Sequence, residues 1–293
     1  MDSPALPTTR RPDRRPWPEG WRRRTTLMGV INITPDSFSD GGRFLQVDQA
    51  VSQAAIQLRQ GADVLDLGAQ STRPGASEVG ADEELRRLLP PLRRIRKRFP
   101  EALISVDTFL APVAEAALEA GADWVNDISA GRRDPAMLPL IAEAGCPVVL
   151  MHSRGNSRTM DQLAVYDDVI QEVREGLEER TNTALKAGIR TDQIIWDPGL
   201  GFAKTAEQNL QLLKGLEQLS RGSIPLLVGP SRKRFIGTVL DEPKPKARIW
   251  GTAAVACRCS QAGIAVLRVH DVRPMHQTLR MAATLWSWPE PRD

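Results

Sequence analysis

The sequence predicts an α/β fold, a single (β/α)8 TIM barrel with a disordered basic N-terminal arm. Three observations support this prediction: eight short apolar runs recur along the chain, helical patterns lie between them, and no glycine-rich dinucleotide turn follows the first run. The chain has 293 residues, of which 41 % are apolar and 26 % charged, as in an ordinary globular protein. Since a barrel of this class needs roughly 250 residues, one domain accommodates the length.

The eight runs are rich in Val, Ile and Leu, and each ends in polar or glycine residues. Apolar runs without polar alternation are typical of strands buried on both faces, as in a parallel sheet. The predicted strands are Leu27–Asn32, Val64–Gly68, Leu103–Asp107, Trp124–Asp127, Val148–His152, Ile194–Asp197, Leu226–Gly229 and Val266–His270.

Between the strands, apolar residues recur at helical spacing. One example is the series from Leu85 to Phe99, and another ends at the stop signal Gly61. Pro90 and Pro91 are predicted to kink the first of these helices. Strand and helix therefore alternate, and an open doubly wound sheet would more often have five or six strands.

Residues 1–24 differ in composition from the rest of the chain. They carry seven arginines against three acidic residues, a net charge of +4, together with five prolines and no periodic apolar pattern. Such segments bury too little apolar surface to fold. We therefore predict a disordered arm over 1–24 and one barrel domain over 25–293. Nucleic-acid binding by the arm is an alternative, but a solvated tail is favoured.

The sequence gives no sign of export or of a membrane anchor. Neither a secretory apolar stretch near the start nor any run of about 18 apolar residues is found. We expect a cytoplasmic location and no membrane partner.

The carboxyl ends of barrel strands carry the chemistry in this fold, so the residues that close each run are candidates. Asp107, Asn126 and Asp197 are hydrogen-bond acceptors at three such ends. Together they suit a flat heterocycle with several N–H donors, such as a guanine-like or pterin-like ring. For any single one, binding to nearby backbone amides is an equally good explanation.

The seventh and eighth strands end in basic residues. Arg268 and His270 alternate with Val269, so both side chains are predicted to point into the barrel mouth. Two inward bases indicate a polyanion, and phosphate sites are frequent after strands seven and eight of barrels. The segment Ser231–Arg234 adds further donors, although at least one of its arginines belongs more naturally to a solvated helix face.

Two loops dense in turn-forming residues follow the first and second strands, over 34–42 and 71–76. Polar loops of this kind over a barrel mouth are typical of lids. Phe38 is a large apolar residue in the first loop, which suits a lid that covers a ring system, unless it packs back on the barrel.

Seven motifs in this order resemble the dihydropteroate synthase family, the pterin-binding barrels of folate biosynthesis, over roughly residues 26–285. Any one of the motifs is weak alone, but the ordered set is specific. They are 29–42, 71–76, 105–108, 126–127, 197–199, 231–233 and 268–271.

The resemblance implies an enzyme, a transferase that condenses 6-hydroxymethyl-7,8-dihydropterin diphosphate with 4-aminobenzoate to give 7,8-dihydropteroate and pyrophosphate. It implies no nucleic-acid partner and suggests a homodimer through the last helices. It also implies Mg²⁺ near Asn32, because magnesium takes oxygen ligands and keeps several waters.

The implied site residues fall into three groups. The residues that match the family's pterin site are Asp107, Asn126, Asp197 and Lys233, and Met151 and Phe202 are expected to line it. The residues that match the family's diphosphate site are Asn32, Thr72, Arg73, Arg268 and His270. The residues that match the family's 4-aminobenzoate pocket and its lids are Phe38, Asp40, Pro74, Ser231 and Lys233. The roles in catalysis fall on Lys233, Arg268, His270 and Asp107.

The chain departs from the family pattern at a few positions. Ala203 stands where Gly is frequent, and Gln70 stands where Glu is common before the second loop. These departures leave the pocket shape and sulfonamide sensitivity open.

Two other functions fit part of the pattern. A methyltetrahydrofolate:corrinoid methyltransferase would share the acceptors Asp107, Asn126 and Asp197, but it has no diphosphate to hold. A non-catalytic pterin or phosphate binder would share the mouth without the reaction.

Overall fold

The computed structural model describes residues 16–34, 43–71, 78–220 and 222–286. Eight strands lie in one parallel sheet, and each begins and ends within about two residues of its predicted bounds. The strands are β1 (Thr26–Asn32), β2 (Val64–Gly68), β3 (Leu103–Asp107), β4 (Trp124–Asp127), β5 (Val148–Met151), β6 (Ile194–Asp197), β7 (Leu227–Val228) and β8 (Val266–Val269).

The strand order makes the sheet a barrel. The hydrogen-bonded order runs β6-β5-β4-β3-β2-β1-β8-β7, with β1 paired to both β2 and β8. A parallel bridge between Trp196 and Leu226 joins the two outer strands, and the Trp196 N–H donates to the Pro225 carbonyl at 2.9 Å. This closure confirms the predicted (β/α)8 class.

Helices connect the strands around the outside. The long helix that contains Pro90 and Pro91 runs through both prolines without interruption, with Leu88, Pro91 and Ile95 buried toward the sheet. In the described part of the chain, none of the helices is both long and apolar enough to cross a bilayer. The helices are α1 (Arg43–Arg59), α2 (Ala81–Arg98), α3 (Ala111–Glu119), α4 (Met137–Ala144), α5 (Val169–Lys186), α6 (Ala206–Lys214), α7 (Leu216–Leu219), α8 (Arg234–Leu240), α9 (Ile249–Gln261) and α10 (Val272–Leu285).

The core has two layers because side chains alternate across each strand. The outer layer lies between the sheet and the helices, with residues such as Leu67, Val106 and Leu150 fully buried. The inner layer fills the amino-terminal end of the barrel. It consists of Met28, Val64, Leu103, Trp124, Val149, Ile195, Leu227, Ala265 and Val266.

The end of the predicted arm packs under this inner layer. Trp17 and Trp21 stack with ring centroids 4.5 Å apart, and both meet the Trp124 ring edge-on at 5.3 and 5.8 Å. The Trp124 indole N–H donates to the Pro16 carbonyl at 2.6 Å. Arg24 forms an ion pair with Asp63 at 2.7 Å.

The predicted boundary at residue 24 is therefore corrected. The expectation of a disordered arm does not hold for residues 16–24, because two tryptophans give this stretch enough apolar surface to close the floor of the barrel. Residues 1–15 lie outside the described residues.

Candidate active site at the carboxyl ends of the strands

Strand parity decides which polar side chains reach the barrel mouth. Residues two or four positions after a floor residue share its inward face. Val64, Leu103, Trp124, Ile195 and Val266 belong to the floor. The inward positions above them are Asp66, Asp107, Asn126, Asp197 and Arg268, followed by His270 at the end of the eighth run.

Arg268 is held between two carboxylates. Its Nε donates to Asp66 Oδ2 at 2.6 Å, and its Nη2 donates to Asp107 Oδ2 at 2.7 Å. Burial acts to lower the pKa of Arg268, but the two carboxylates outweigh it and raise that pKa. Burial raises the pKa of Asp107 to about 7, with Arg268 opposing the rise and Asp66 adding to it. Asn126 completes the group, because its Nδ2 lies 3.4 Å from Asp66 Oδ2.

Lys233 and Asp197 face each other across the mouth. Burial lowers the pKa of Lys233 to about 8, while the charges of Asp197 and Asp107 oppose that fall. Burial raises the pKa of Asp197, and the Gly199 N–H, which donates to its Oδ1 at 2.7 Å, opposes the rise. These mutual effects place Lys233, Asp197 and Asp107 in one site, as the sequence predicts.

The loop after β6 brings Phe202 onto Lys233. The Lys233 ammonium lies 4.2 Å from the centre of the Phe202 ring, within the range of a cation–π contact. Gly201, at φ +76°, allows this approach, since a Cβ there would lie 3.0 Å from Lys233 Cδ. Met151, on β5 beside Asp197 in register, is 2 % exposed and lies on the inward face.

His270 is bound to the loop after β7. Ser231 Oγ accepts the His270 backbone N–H at 3.1 Å and lies 3.0 Å from its Nδ1. Burial and the cations Arg232 and Arg268 lower the pKa of His270 to about 3, so the imidazole is neutral at neutral pH. Ser231 thus lies beside the predicted diphosphate histidine.

Arg232 serves a structural role in the same loop. Its guanidinium binds Asp271 through Nε at 3.0 Å and Nη2 at 2.7 Å. Its backbone has φ 62°, a left-handed conformation that is costly for a residue with a side chain. This ion pair joins the β7 loop to the start of α10 and stabilises the position of Ser231.

Sequence reasoning missed a buried lysine beside this mouth. Lys204 is 7 % exposed, and its ammonium contacts His152 Nδ1 at 3.1 Å, the Gly199 carbonyl at 3.2 Å and the Phe202 carbonyl at 3.0 Å. Burial lowers the pKa of Lys204 to about 7, and burial together with the Lys204 charge lowers the pKa of His152 to about 2. No signal in the sequence distinguishes this lysine from an exposed one.

Asp66 also belongs to this mouth, although the resemblance assigns it no role. It lies in the middle of β2 and is 0 % exposed, with Oδ2 on Arg268 and Oδ1 without a hydrogen-bond partner within the described ranges. The sequence signal was its position, since it is the charged residue within the apolar run Val64–Gly68.

Asp127 has a local, structural role. Its carboxylate accepts the N–H groups of Ser129 and Gly131, at 2.7 and 2.6 Å, and so shapes the loop after β4. Asn126, its neighbour in sequence, points the other way, into the barrel.

Several predicted residues lie outside the described residues. They are Phe38 and Asp40 in the first loop, and Thr72, Arg73 and Pro74 in the second. The bases of the second loop are described: Gln70 Oε1 accepts the Val79 N–H at 2.8 Å, and Gln70 Nε2 donates to Glu84 at 3.2 Å. Gln70 thereby connects the two ends of that loop.

Asn32 ends β1 at the same rim as the other candidates. Across the described ranges, no three His, Cys, Asp or Glu side chains cluster as a metal cage. One amide oxygen at the rim fits the coordination that magnesium accepts, in which waters and substrate oxygens supply the other ligands.

A cleft opens beside this mouth, between the loops that follow β2 to β6. Its lining includes Ser71, Phe109, Arg133, Met160 and Phe202. Phe202 both lines this cleft and contacts Lys233, so the cleft adjoins the Lys233 side of the mouth.

The family follows from comparison with known proteins. The family model described as "Pterin binding enzyme" matches residues 28–270. The chain belongs to the pterin-binding enzymes. It is 49 % identical over 266 residues to the dihydropteroate synthase of Synechocystis sp., a match that covers 91 % of this chain and 92 % of that relative.

Solved structures of this pterin-binding family agree. A Xanthomonas albilineans dihydropteroate synthase with 4-aminobenzoic acid has a TM-score of 0.85 and 41 % identity, covering 92 % of this chain and 95 % of that chain. The enzyme from the same organism in complex with 7,8-dihydropteroate has a TM-score of 0.82 and 38 % identity, covering 92 % and 96 %. The resemblance inferred from the seven motifs is confirmed.

The departures of this pterin-binding enzyme from its family pattern have a structural setting. Ala203 has φ 49°, the left-handed region where glycine is the usual residue. Gln70 donates to the buried Glu84, whose pKa burial raises to about 7. An amide suits this position because a second carboxylate there would face Glu84 with like charge.

Proposed function

We propose that the chain is a dihydropteroate synthase, which condenses 6-hydroxymethyl-7,8-dihydropterin diphosphate with 4-aminobenzoate to form 7,8-dihydropteroate and pyrophosphate. The observation that carries this proposal is the barrel mouth, where the acceptors Asp107, Asn126 and Asp197 surround the cations Lys233 and Arg268. An acceptor flank suits the N–H edge of the pterin, and a cationic flank suits its diphosphate.

The pterin ring would be recognised by fixed hydrogen bonds. Asp107, Asn126 and Asp197 accept its ring and amino protons, and the Lys233 ammonium donates to its carbonyl oxygen. With a pKa of about 8, Lys233 is mostly protonated at neutral pH. Met151 and Phe202 supply apolar contacts beneath and beside the ring.

The diphosphate would bind at the end of β8. Arg268 and His270 are the described residues of this site, and Thr72 and Arg73 would join them from the second loop. When bound, Mg²⁺ would be held by Asn32 with substrate oxygens, where it supplies charge neutralisation for the leaving group. Arg268 and His270 stabilise the charge that develops on the departing pyrophosphate.

The 4-aminobenzoate would bind above the pterin. The resemblance assigns Phe38, Asp40, Pro74, Ser231 and Lys233 to its pocket, and Ser231 and Lys233 are the described members of this set. An arylamine is uncharged and nucleophilic at neutral pH, so the reaction needs orientation and leaving-group stabilisation rather than a strong general base. We assign no general base.

Pyrophosphate release tests the function. The purified chain with both substrates and Mg²⁺ should release pyrophosphate and form 7,8-dihydropteroate, and omission of 4-aminobenzoate should abolish both signals. Pterin binding without product would favour the non-catalytic binder. Methyl transfer from methyltetrahydrofolate to a corrinoid would favour the methyltransferase, which has no use for the Arg268 and His270 pair.

A homodimer and a cytoplasmic location are also part of this proposal. Several large apolar side chains are exposed on the last helices, with Trp250 at 80 %, Leu285 at 60 % and Met281 at 57 %. Exposed apolar groups of this size favour a protein–protein contact. We expect sedimentation analysis to give twice the chain mass and Trp250→Glu to weaken the dimer. A wild type that sediments as a monomer would contradict the proposed dimer. Cell fractionation tests the location.

A further inference from the structure

Asp66 and Asp107 both bind Arg268, but from different depths of the barrel. Asp66 lies in the middle of β2 and its side chain is 0 % exposed, whereas the Asp107 side chain ends β3 at the mouth and is 12 % exposed. Asp66 Oδ2 accepts from Nε, near the stem of the arginine, and lies 2.6 Å from Nη2, whereas Asp107 contacts only the terminal Nη2. A ligand that enters from the mouth therefore meets Asp107 first.

The buried carboxylate of Asp66 depends on this ion pair. A carboxylate without water or a cation costs several kcal/mol to bury, and Arg268 is the cation that Asp66 contacts in the described structure. Its other neighbour at hydrogen-bond distance, Asn126, is neutral and lies at 3.4 Å. Asp66 and Arg268 are thus a fixed pair, to which Asp107 is added at the rim.

We propose that Asp66 is a positioning residue for the reaction: it keeps Arg268 at the mouth when the pterin ring takes over Asp107, so that the guanidinium, released from its second carboxylate, faces the diphosphate. This inference rests on the proposed function. Asp107 serves two partners in turn, Arg268 in the free enzyme and the pterin N–H groups in the complex. Asp66 keeps one partner throughout.

The exchange follows from competition for a single carboxylate. In the free enzyme Arg268 is neutralised by two acids, which leaves its charge little available to phosphate. When the pterin takes Asp107, Arg268 is left with one carboxylate instead of two, so its charge is more available at the moment when the leaving group needs it. Binding of the ring and activation of the cation are coupled by the same contact.

Asp66→Asn separates positioning from a purely structural role. With the charge removed, Arg268 relies on Asp107 alone, so the pterin must displace its remaining ionic partner. We expect binding of a pterin without diphosphate, such as 6-hydroxymethylpterin, to weaken by about tenfold and kcat to fall by a similar factor. The matched control is Ser105→Ala, which removes a buried Oγ that has no described partner and lies beside Asp66 in register.

The pH profile supplies a second readout. Asp66 is one of the charges that raise the pKa of Asp107, so the acid limb of kcat/KM should move to lower pH in Asp66→Asn and stay in place in Ser105→Ala. The other charged groups that act on Asp107 stay the same in both variants. They are Glu84, Asp127, Arg268 and Lys233.

A double variant keeps the proposal testable if Asp66→Asn does not fold. Asp66→Asn with Arg268→Gln leaves no unpaired buried charge in the pair, and its activity should equal that of Arg268→Gln alone. A further loss would show that Asp66 acts other than through Arg268, and unchanged pterin binding in Asp66→Asn would equally overturn the proposal. Pterin binding needs no turnover, so a wild type that binds pterin but releases no pyrophosphate refutes the proposed function and leaves the Asp66 test intact.

Discussion

At the scale of single residues, burial sets the charge states of the mouth. Lys233 has a lowered pKa of about 8 yet carries its charge at neutral pH, because Asp197 and Asp107 offset part of its desolvation. His270, with a pKa of about 3, is neutral and needs an incoming anion to take a proton. The free enzyme therefore has one cation for the ring and one for the leaving group.

Lys233→Ala is expected to lower kcat/KM by roughly thirtyfold or more, equivalent to about 2 kcal/mol of lost transition-state stabilisation from one charge-assisted donor. Steady-state kinetics with both substrates measure it. Lys186→Ala, at an exposed position near the end of α5, is the control and should leave the kinetics unchanged. Unaltered kinetics in Lys233→Ala would remove the residue from the site.

His152 makes stability depend on pH. Its folded pKa of about 2 lies below the unfolded value of about 6.5, so its contribution is present above pH 6.5 and is lost as the pH falls. Between pH 6.5 and 4.5 the wild type should lose about 2 kcal/mol more unfolding free energy than His152→Asn. Urea unfolding at the two pH values measures the difference, and equal losses would contradict the assigned charge state.

At the scale of elements, the hydrogen bonds that hold the loops after the strands could not be predicted from the sequence. Lys204 donates to two carbonyls of the loop after β6, and Gln70 hydrogen-bonds Val79 and Glu84 at the base of the loop after β2. The buried strands were predictable from their apolar runs. The burial of Lys204 was not predictable, because lysine is mostly exposed in proteins. Its three acceptors, on His152, Gly199 and Phe202, come together around the ammonium only when the chain folds.

Lys204→Met should loosen the loop after β6. The change leaves His152 Nδ1 and the carbonyls of Gly199 and Phe202 without their shared donor, so Phe202 is held less firmly against Lys233. We expect pterin affinity to fall by about tenfold, since a buried charge-assisted hydrogen bond contributes about 1.5–3 kcal/mol. Isothermal titration measures it, with Lys186→Met as the control. Affinity within twofold of wild type would mean that the loop holds its shape without Lys204.

At the scale of the whole molecule, the barrel was predictable and its floor was not. The eight apolar runs with polar ends predicted the strands and the rim at which they end. That prediction placed Asp107, Asn126, Asp197 and Arg268 at the same mouth. The floor was missed because arginine and proline dominate the composition of residues 1–24 and outweigh the two tryptophans within it. Composition averages over a segment, whereas packing depends on single large side chains.

Trp21→Ala should destabilise the fold without touching the chemistry. The side chain is partly exposed, so we expect a loss of about 1–2 kcal/mol rather than the larger cost of a fully buried tryptophan, and a kcat near that of the wild type. Thermal unfolding and steady-state kinetics measure the two effects. Removal of residues 1–15 is the control and should preserve both, whereas removal of residues 1–24 should reproduce the destabilisation.

The tryptophan floor joins Pro16 to Trp124 across 108 positions of the chain. Residues 16–24 are therefore synthesised before their partner and can pack only once β4 and the strands on either side of it have formed. Until then the underside of the growing barrel is open to water. A fusion tag joined directly before Pro16 is expected to slow this packing step, whereas a tag at the carboxyl terminus is not.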